Sequence, residues 1–325
     1  MLRTLTLTSL LLVCAARPAS GQVFFPFEIT GARALGMGGA FVAVANDATA
    51  VHWNPAGLPS GAAAGMTVGW DQLRFGDPSL PAVVGATQNG ATLTSVATYP
   101  LGFSYGYLRA AQVVAVADDG TPLVNNVTVH LFAGSVVQTV VKGLVVGGTV
   151  KYLRGQVISA QTAGLSNGDA LDEATKRKTD SDGAFDLDLG VMATIGWFRA
   201  GFTAKNLVQP TFVGDAGFET QLKRRYRLGI AAMPTDGLTL AFDVDLDTAD
   251  PLVGLRRMMA AGVETRLGSS LELRGGVRWG RDGEKRPISS IGASLKIRKS
   301  MWLDGYATYS RYDDRGWGVA FRAGS

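Results

Sequence analysis

Residues 31–61 read GARALGMGGAFVAVANDATAVHWNPAGLPSG, and the rest of the chain is organised around them. Gly31, Gly36, Gly38 and Gly39 leave room for tight bends and for close approach of neighbouring chain. Asn46 or Asp47 is suited to N-cap a short helical turn over 48–53. Pro55 ends that turn, because the residue before a proline, Asn54, is pushed to an extended conformation. The segment is too small and too rich in glycine to bury a core of its own. It is expected to pack inside a larger cavity, as a plug.

The chain before it reads as an export signal over residues 1–21. Arg3 supplies the positive start, 5–16 the apolar stretch, and Ala19-Ser20-Gly21 a small-residue cleavage site before Gln22. The apolar run falls short of the ~20 residues a spanning helix needs. Val13 before Cys14 argues against a lipoprotein. Cys14 is the only cysteine, so disulfides, thiolate catalysis and cysteine-bound metals are excluded from the mature chain. With 42 glycines in 325 residues, 46% hydrophobic and 18% charged, the composition suits neither a disordered chain nor a charged helical bundle. No later stretch approaches ~18 uninterrupted apolar residues. The formal charge of +4 includes Arg3 and Arg17 of the signal, and the basic residues are scattered, so nucleic acid is not an expected partner. An exported, helix-poor chain points to outer-membrane lipid as its surroundings, where a closed barrel satisfies every backbone group.

Periodicity agrees. From Ala63 the chain breaks into about fourteen segments of roughly ten residues with period-2 alternation. Over 185–195, Phe185, Leu187, Leu189, Val191 and Ile195 share one face, and Asp186, Asp188 and Thr194 the other. Over 238–247, Leu238, Leu240, Phe242, Val244 and Leu246 oppose Asp243, Asp245 and Asp247; over 271–279, Leu271, Leu273, Val277 and Trp279 oppose Glu272, Arg274 and Arg278. Short connections (99–100, 196–197, 234–237, 268–269) alternate with longer ones (71–90, 110–125, 155–183, 208–223), as inner turns alternate with outer loops in such barrels. The expected fold is therefore all-β: an antiparallel transmembrane barrel of about fourteen strands over 62–325, with an N-terminal plug over 22–61 that contains a short helix.

Alternation alone leaves open which face is inside, since a soluble barrel would turn its charges outward. The export signal favours the membrane reading, as does a strand count whose lumen is too wide for aliphatic side chains to fill. With charges inward, hairpin pairing places Arg227 opposite Asp243 and Arg225 opposite Asp245 across 234–237. It places Arg266 opposite Glu272 and Glu264 opposite Arg274 across 268–269, and Asp188 opposite Lys205 across 196–197. Opposite charges facing across a ladder support pairing. The expectation is a lumen walled by ion pairs around the plug, closed and not an open pore. Trp70, Tyr99, Tyr107, Tyr152, Trp197, Phe198, Tyr226, Trp279, Trp302, Tyr309 and Trp317 lie mostly near segment ends, as membrane-interface girdles do.

Signals for chemistry are thin. Gly102–Gly106 (GFSYG) matches the G-x-S-x-G elbow but sits in an alternating strand, not the strand–turn–helix that motif requires. His52 and His130 are the only histidines, too few for a histidine metal cluster. Asp180-Ser181-Asp182-Gly183 lacks the remaining spacing of a calcium loop. No enzyme activity, metal or cofactor is expected.

The stretch ARALGMGGAFVAVANDATAVHWNPAGL resembles the N-terminal signature of the PorV/PorQ family of outer-membrane proteins. That family is related to the FadL-type transporters of hydrophobic compounds, which share an Asn-Pro-Ala element, here Asn54-Pro55-Ala56. Asp188–Val191 (DLGV), Gly201–Asn206 (GFTAKN), Tyr226–Ile230 (YRLGI) and Leu273–Val277 (LRGGV) are similar to strand blocks of the same proteins. The resemblance implies a barrel with a plug whose motif residues are Gly36, Gly38, Gly39, Asn54, Pro55 and Ala56. It also implies one of two roles. The first is an accessory of type IX secretion that binds secretion-system subunits and secreted proteins. The second is a passive carrier of long-chain fatty acids or another hydrophobic small molecule. For the second, Phe24, Phe27 and Phe41, with Phe25 and Val42, would line an apolar site, and Arg33 would hold a carboxylate.

Overall fold

The computed structural model describes residues 29–76, 79–81, 83–162, 164–177, 179–214, 219–247, 257–281 and 287–324. The export signal and Phe24, Phe25 and Phe27 lie outside the described residues. From Ala64 the chain is a succession of strands: β1 (Ala64–Phe75), β2 (Thr87–Thr98), β3 (Leu101–Val116), β4 (Pro122–Val141), β5 (Leu144–Gln161), β6 (Asp182–Ile195), β7 (Phe198–Lys205), β8 (Thr211–Val213), β9 (Glu219–Gln221), β10 (Arg225–Thr235), β11 (Leu238–Asp245), β12 (Met258–Leu267), β13 (Leu271–Gly280), β14 (Ile288–Arg298), β15 (Met301–Tyr309) and β16 (Arg315–Gly324). Fourteen of them, all but β8 and β9, form a closed antiparallel barrel. Its seam joins β1 to β16, from Gly65 opposite Gly324 to Arg74 opposite Arg315. The fold class expected from alternation is the one observed.

The charged face points inward. On β6, Phe185 is 68% exposed while its neighbour Asp186 is 0% exposed. Leu187 and Leu189 are likewise exposed and Asp188 buried, so this wall is apolar outside and polar inside. An apolar exterior on a closed barrel is the membrane arrangement. Among the described residues no helix is long and apolar enough to cross a membrane.

Two departures from the sequence reading have physical causes. The loop expected over 110–125 is mostly strand: β3, β4 and β5 have 16, 20 and 18 residues, against the ~9–11 needed to span a bilayer. Their outward residues Ala111, Val113 and Val124 are buried together with Ala170, Leu171 and Ala174 of helix α3 (Asn167–Lys176). The connection between β5 and β6 thus forms a helix outside the barrel, capped by Ser166, whose Oγ accepts the Asp169 N–H at 2.9 Å. The second departure is in the β10–β11 hairpin. Arg227 stands opposite Asp245, and Asp243 opposite Gly229, so the expected Arg227–Asp243 and Arg225–Asp245 register is shifted by two residues. The cause is a bulge on β10 between Ala232 and Thr235, followed by a two-residue Asp236-Gly237 loop with Gly237 at φ 92°. A two-residue shift preserves parity, so every charge still faces the lumen.

Residues 29–61 fill the barrel's middle. They form α1 (Ala32–Gly36), α2 (Ala50–Trp53) and a 3-10 turn (Pro55–Ser60). The helical turn expected over 48–53 starts two residues later, with Thr49 at its N-cap; the Asp47 carboxylate accepts the Thr49 N–H at 2.9 Å. Asn54 is extended (φ −159°, ψ 103°), as the following proline requires. Phe41 packs edge-on to Trp53 with ring centroids 5.7 Å apart, and both are fully buried.

Candidate functional site: a plugged and lidded lumen

The wall holds the plug largely by its backbone. Asp243 on β11 accepts the N–H groups of Phe41 and Val42, each at 2.9 Å. Asp71 on β1 accepts the Gly31 N–H at 3.0 Å and the Thr30 hydroxyl at 3.1 Å. From the other side, Lys205 donates to the His52 carbonyl at 2.7 Å. Asn54 donates to Val42 O at 3.0 Å and to Val191 O of β6 at 3.1 Å, while its own carbonyl accepts the Ala56 N–H. Asn54 therefore ties two parts of the plug to each other and to the wall.

Room for the plug comes from inward-facing positions that carry no side chain. A Cβ on Gly276 of β13 would lie 2.2 Å from the Met37 carbonyl carbon, and one on Gly262 of β12 2.4 Å from the Met37 oxygen. On the far side, a Cβ on Gly190 of β6 would meet the Asn54 side chain at 2.2 Å, and one on Gly147 of β5 would meet the Ala56 nitrogen at 2.8 Å. Plug backbone lies against wall backbone, a separation that no larger residue permits.

Charge is concentrated on one side of the lumen. Arg33 of α1 forms a two-pronged contact with Glu264 (2.7 and 2.6 Å) and reaches Asp47 at 3.1 Å and Asn46. Glu264 also accepts from Arg274 at 2.6 Å, and Arg274 from its other arm reaches Glu272 at 2.8 Å. Arg322 continues the chain to Glu272 at 3.0 Å and Asp304 at 3.1 Å. On β10 and β11, Arg225 and Arg227 share Asp245 at 2.7 and 2.6 Å, and Arg225 also meets Asp247 at 2.6 Å. Lys151 on β5 bridges Asp186 at 2.7 Å and Asp188 at 2.5 Å. Buried charges so arranged leave few carboxylate lone pairs idle.

The opposite wall is apolar at mid-height of its inward face, where Leu108 and Ala110 of β3, Val127, Val129, Leu131 and Ala133 of β4, and Leu153 and Val157 of β5 are all buried; polar inward residues lie beyond it on both sides, Gln112 and Asn125 toward the outer end and Ser104, Ser135 and Lys151 toward the short turns. Where this wall meets the plug there is a cavity of about 60 Å³. Val51 and His52 form its floor, Leu108, Val129, Leu131 and Leu153 one side, and Lys151, Asp188, Lys205 and Arg225 the other. Leu222, just after the β8–β9 hairpin, covers it. That hairpin reaches into the barrel: Phe212 of β8 is fully buried against Gly155 of β5, where a Cβ would come within 2.5 Å of its ring. The cavity holds on the order of a few waters at most, so anything larger must displace lid or plug. At the short-turn end, polar cavities of about 200 and 210 Å³ flank the plug; both are lined by Asn46, one also by Asp47, Trp302 and Arg322, the other by Arg33, Glu264 and Arg266.

The residues singled out in the sequence distribute as follows. Across the 268–269 turn Arg266 faces Glu272 at 3.2 Å and Glu264 faces Arg274, in the register read from parity. Arg227 contacts Asp245, while Asp243 turns to the plug backbone. Asp188 is bridged by Lys151, and Lys205 reaches His52. Gly36, Gly38 and Gly39 lie in and just after α1, with Gly38 at φ +70° tight against Val277 of β13. Asn54, Pro55 and Ala56 sit against Gly147 and Gly190. Arg33 and Phe41 are together, the guanidinium 5.3 Å from the ring centroid, but as plug packing. Arg33 is held by Glu264 and Asp47. Trp302 lines an inner-end cavity instead of a girdle. The apolar wall and the lid hairpin were missed. The run of Val and Leu at alternate positions from Val127 to Ala133 was their available signal.

A family described as "F plasmid transfer operon, TraF, protein" matches residues 127–245, roughly from β4 to β11. No curated protein matches the sequence. Among solved structures, the chain is similar to the CymD monoaromatic hydrocarbon channel (TM-score 0.64, 14% identity, covering 93% of this chain and 99% of that one). It is also similar to the Ralstonia pickettii toluene transporter TbuX (0.63, 14%, 92% and 99%) and to a Pseudomonas aeruginosa FadL homologue (0.60, 12%, 93% and 98%). The fold of this chain is thus that of FadL-like barrels.

Proposed function

We propose that the protein is a passive, non-enzymatic carrier of small hydrophobic compounds in the outer membrane. The observation that carries this reading is the apolar mid-height band on the inward face of β3–β5, which borders the cavity between plug and lid. A lumen meant only for ions or sugars gains nothing from Leu108, Val129, Leu131 and Leu153 facing it. The resemblance to hydrocarbon channels supports the same reading, by analogy of fold. The plug and the β8–β9 lid are the barriers a cargo passes, and the cations on the cavity's other side orient a polar end when the cargo has one.

The test is uptake of labelled toluene and of labelled oleate by cells that lack their own hydrophobic channel and express this protein. Uptake above that of the empty vector is expected for at least one of them. Leu131→Asp should lower it about tenfold or more, because burying an unpaired charge costs well over the ~1.4 kcal/mol that a factor of ten represents. The variant's retained heat-modifiable migration on gels checks that the barrel folds. Uptake equal to the empty vector for both compounds overturns the reading.

A second reading is favoured by how firmly the plug is pinned. A plug held by Asp71, Asp243, Glu264 and Lys205 suits a closed barrel that works through its surface, as the PorV/PorQ resemblance implies for a type IX secretion accessory. Purification in mild detergent distinguishes the two. Secretion subunits or secreted proteins in stoichiometric amount would support the accessory, and a bound hydrophobe without a partner would support the carrier.

A further inference from the structure

The outward face of β3, β4 and β5 carries cations where a barrel ordinarily meets lipid. Register aligns three successive rows. In the lowest, Tyr105, Phe132, Tyr152 and Phe185 stand opposite one another across β3 to β6, with neighbouring ring centroids 5.1, 6.4 and 5.2 Å apart. The next row toward the outer end holds Tyr107, His130 and Arg154, and the third Arg109, Thr128 and Gln156. Above these, α3 covers the outward Ala111, Val113 and Val124. The cations therefore occupy a strip bounded by an aromatic band below and a helix above.

The strip is built, not incidental. Tyr105 and His130 share a hydrogen bond at 2.9 Å, and the His130 ring lies 5.0 Å from that of Tyr107. Arg154 donates to Ser181 Oγ at 2.6 Å, and Gln156 to the Thr179 carbonyl at 2.9 Å, so the chain after α3 borders one side. Arg109 leans over Gly90 of β2, its Nη2 3.6 Å from where a Cβ would sit. Among the described residues neither Arg109 nor Arg154 has a carboxylate partner, unlike the inward arginines Arg225, Arg227, Arg274 and Arg322. Arginine on the lipid face costs about 2–4 kcal/mol at mid-depth and about 0–1 near an interface. Two such residues directly above an aromatic band mark the depth of the headgroups. Their backbones are roughly 12 Å apart, two strands across and two residues along, within the joint reach of two long side chains to one bulky headgroup.

We infer that this strip binds the phosphate of a phosphorylated outer-leaflet glycolipid. Arg109 and Arg154 hold the phosphate through their guanidinium forks, and the acyl chains lie on the row of Tyr105, Phe132 and Tyr152. The proposal concerns the barrel's exterior and is independent of what the lumen carries.

Native mass spectrometry of the detergent-solubilised full chain, titrated with bisphosphorylated lipid A, tests it. The wild type should retain the lipid, and R109Q/R154Q should bind at least tenfold more weakly. R311Q/R315Q, which removes exposed cations from the β15–β16 loop, should bind as the wild type does. Lipid A stripped of its phosphates should bind the wild type as weakly as the intact lipid binds the double variant. Should R109Q/R154Q not fold, each single variant should show about a threefold loss. Equal binding by wild type and variants, equal binding of the dephosphorylated lipid, or full displacement by millimolar inorganic phosphate would each overturn the proposal.

Discussion

At mid-height the inward face of β3–β5 carries Leu108, Val129, Leu131 and Leu153, whereas the same face of β10–β16 carries Arg225, Arg227, Asp243, Asp245, Glu264, Glu272, Arg274 and Asp304. Both walls surround one plug, yet they hold it differently. The charged wall grips through Asp243 and Glu264, with hydrogen bonds of 2.6–2.9 Å. The apolar wall contributes fit, through Gly147 and its aliphatic neighbours. Directional contacts fix the plug's position, while non-directional ones set only how closely it fits.

The largest expected effect comes from breaking the anchor. Arg274→Met leaves Glu264 and Glu272 short of a buried partner and should cost about 3–5 kcal/mol, read as a lowered urea midpoint of the barrel in lipid vesicles. If the midpoint is unchanged, the ion chain does not stabilise the charged wall. A smaller effect is expected from Gly276→Val, which drives a side chain into Met37. Overpacking of this kind costs about 1–3 kcal/mol, and here the plug can yield instead of the wall. Raised ion conductance in planar bilayers, with the barrel still folded, is the outcome expected; silent channels would mean that the plug accommodates the change.

The smallest effect is one of pH. Burial pushes the Asp47 carboxyl up, but the Arg33 and Arg322 guanidiniums outweigh it and hold the group below its ordinary value. Stabilisation from this contact is therefore complete above the ~3.9 of an unfolded aspartate and is lost as pH falls through the lower folded value. Protease access to the plug should increase only in that acid range, and Asp47→Asn should abolish the pH dependence. A transition near neutrality would assign the opening to another group.

What could be read from sequence follows the same division. Strands β6, β11 and β13 alternate charge with aliphatic residues, so their faces and the Arg266–Glu272 register were legible. On β4 the alternation runs the other way, with Val127, Val129 and Leu131 inside and Thr128 and His130 outside. A rule that turns polar residues to the lumen assigns these faces in reverse, and with it went the apolar wall. The β10–β11 register was missed because the loop was taken as four residues, 234–237, when Asp236-Gly237 alone makes the turn. Helix α3 and the lid hairpin arise in polar connections; Ser166 gave α3 a local cap signal, but its length and the hairpin depend on tertiary burial of Ala170, Leu171 and Phe212. The plug motif was legible as a unit, but the wall glycines that receive it are far apart in the chain.

The grip on the plug has a consequence for how the protein tolerates change over time. Asp71 and Asp243 take hold of main-chain N–H groups at Gly31, Phe41 and Val42, which every residue type except proline supplies. A change of side chain at Phe41 or Val42 therefore leaves those two attachments in place, whereas Gly31, at φ 100°, is held to glycine by its backbone. The cradle has no such freedom, since at Gly147, Gly190, Gly262 and Gly276 any added carbon collides with the chain it must admit. In lineages of this protein, the four cradle glycines should therefore change more slowly than the plug positions whose side chains make no contact with the wall.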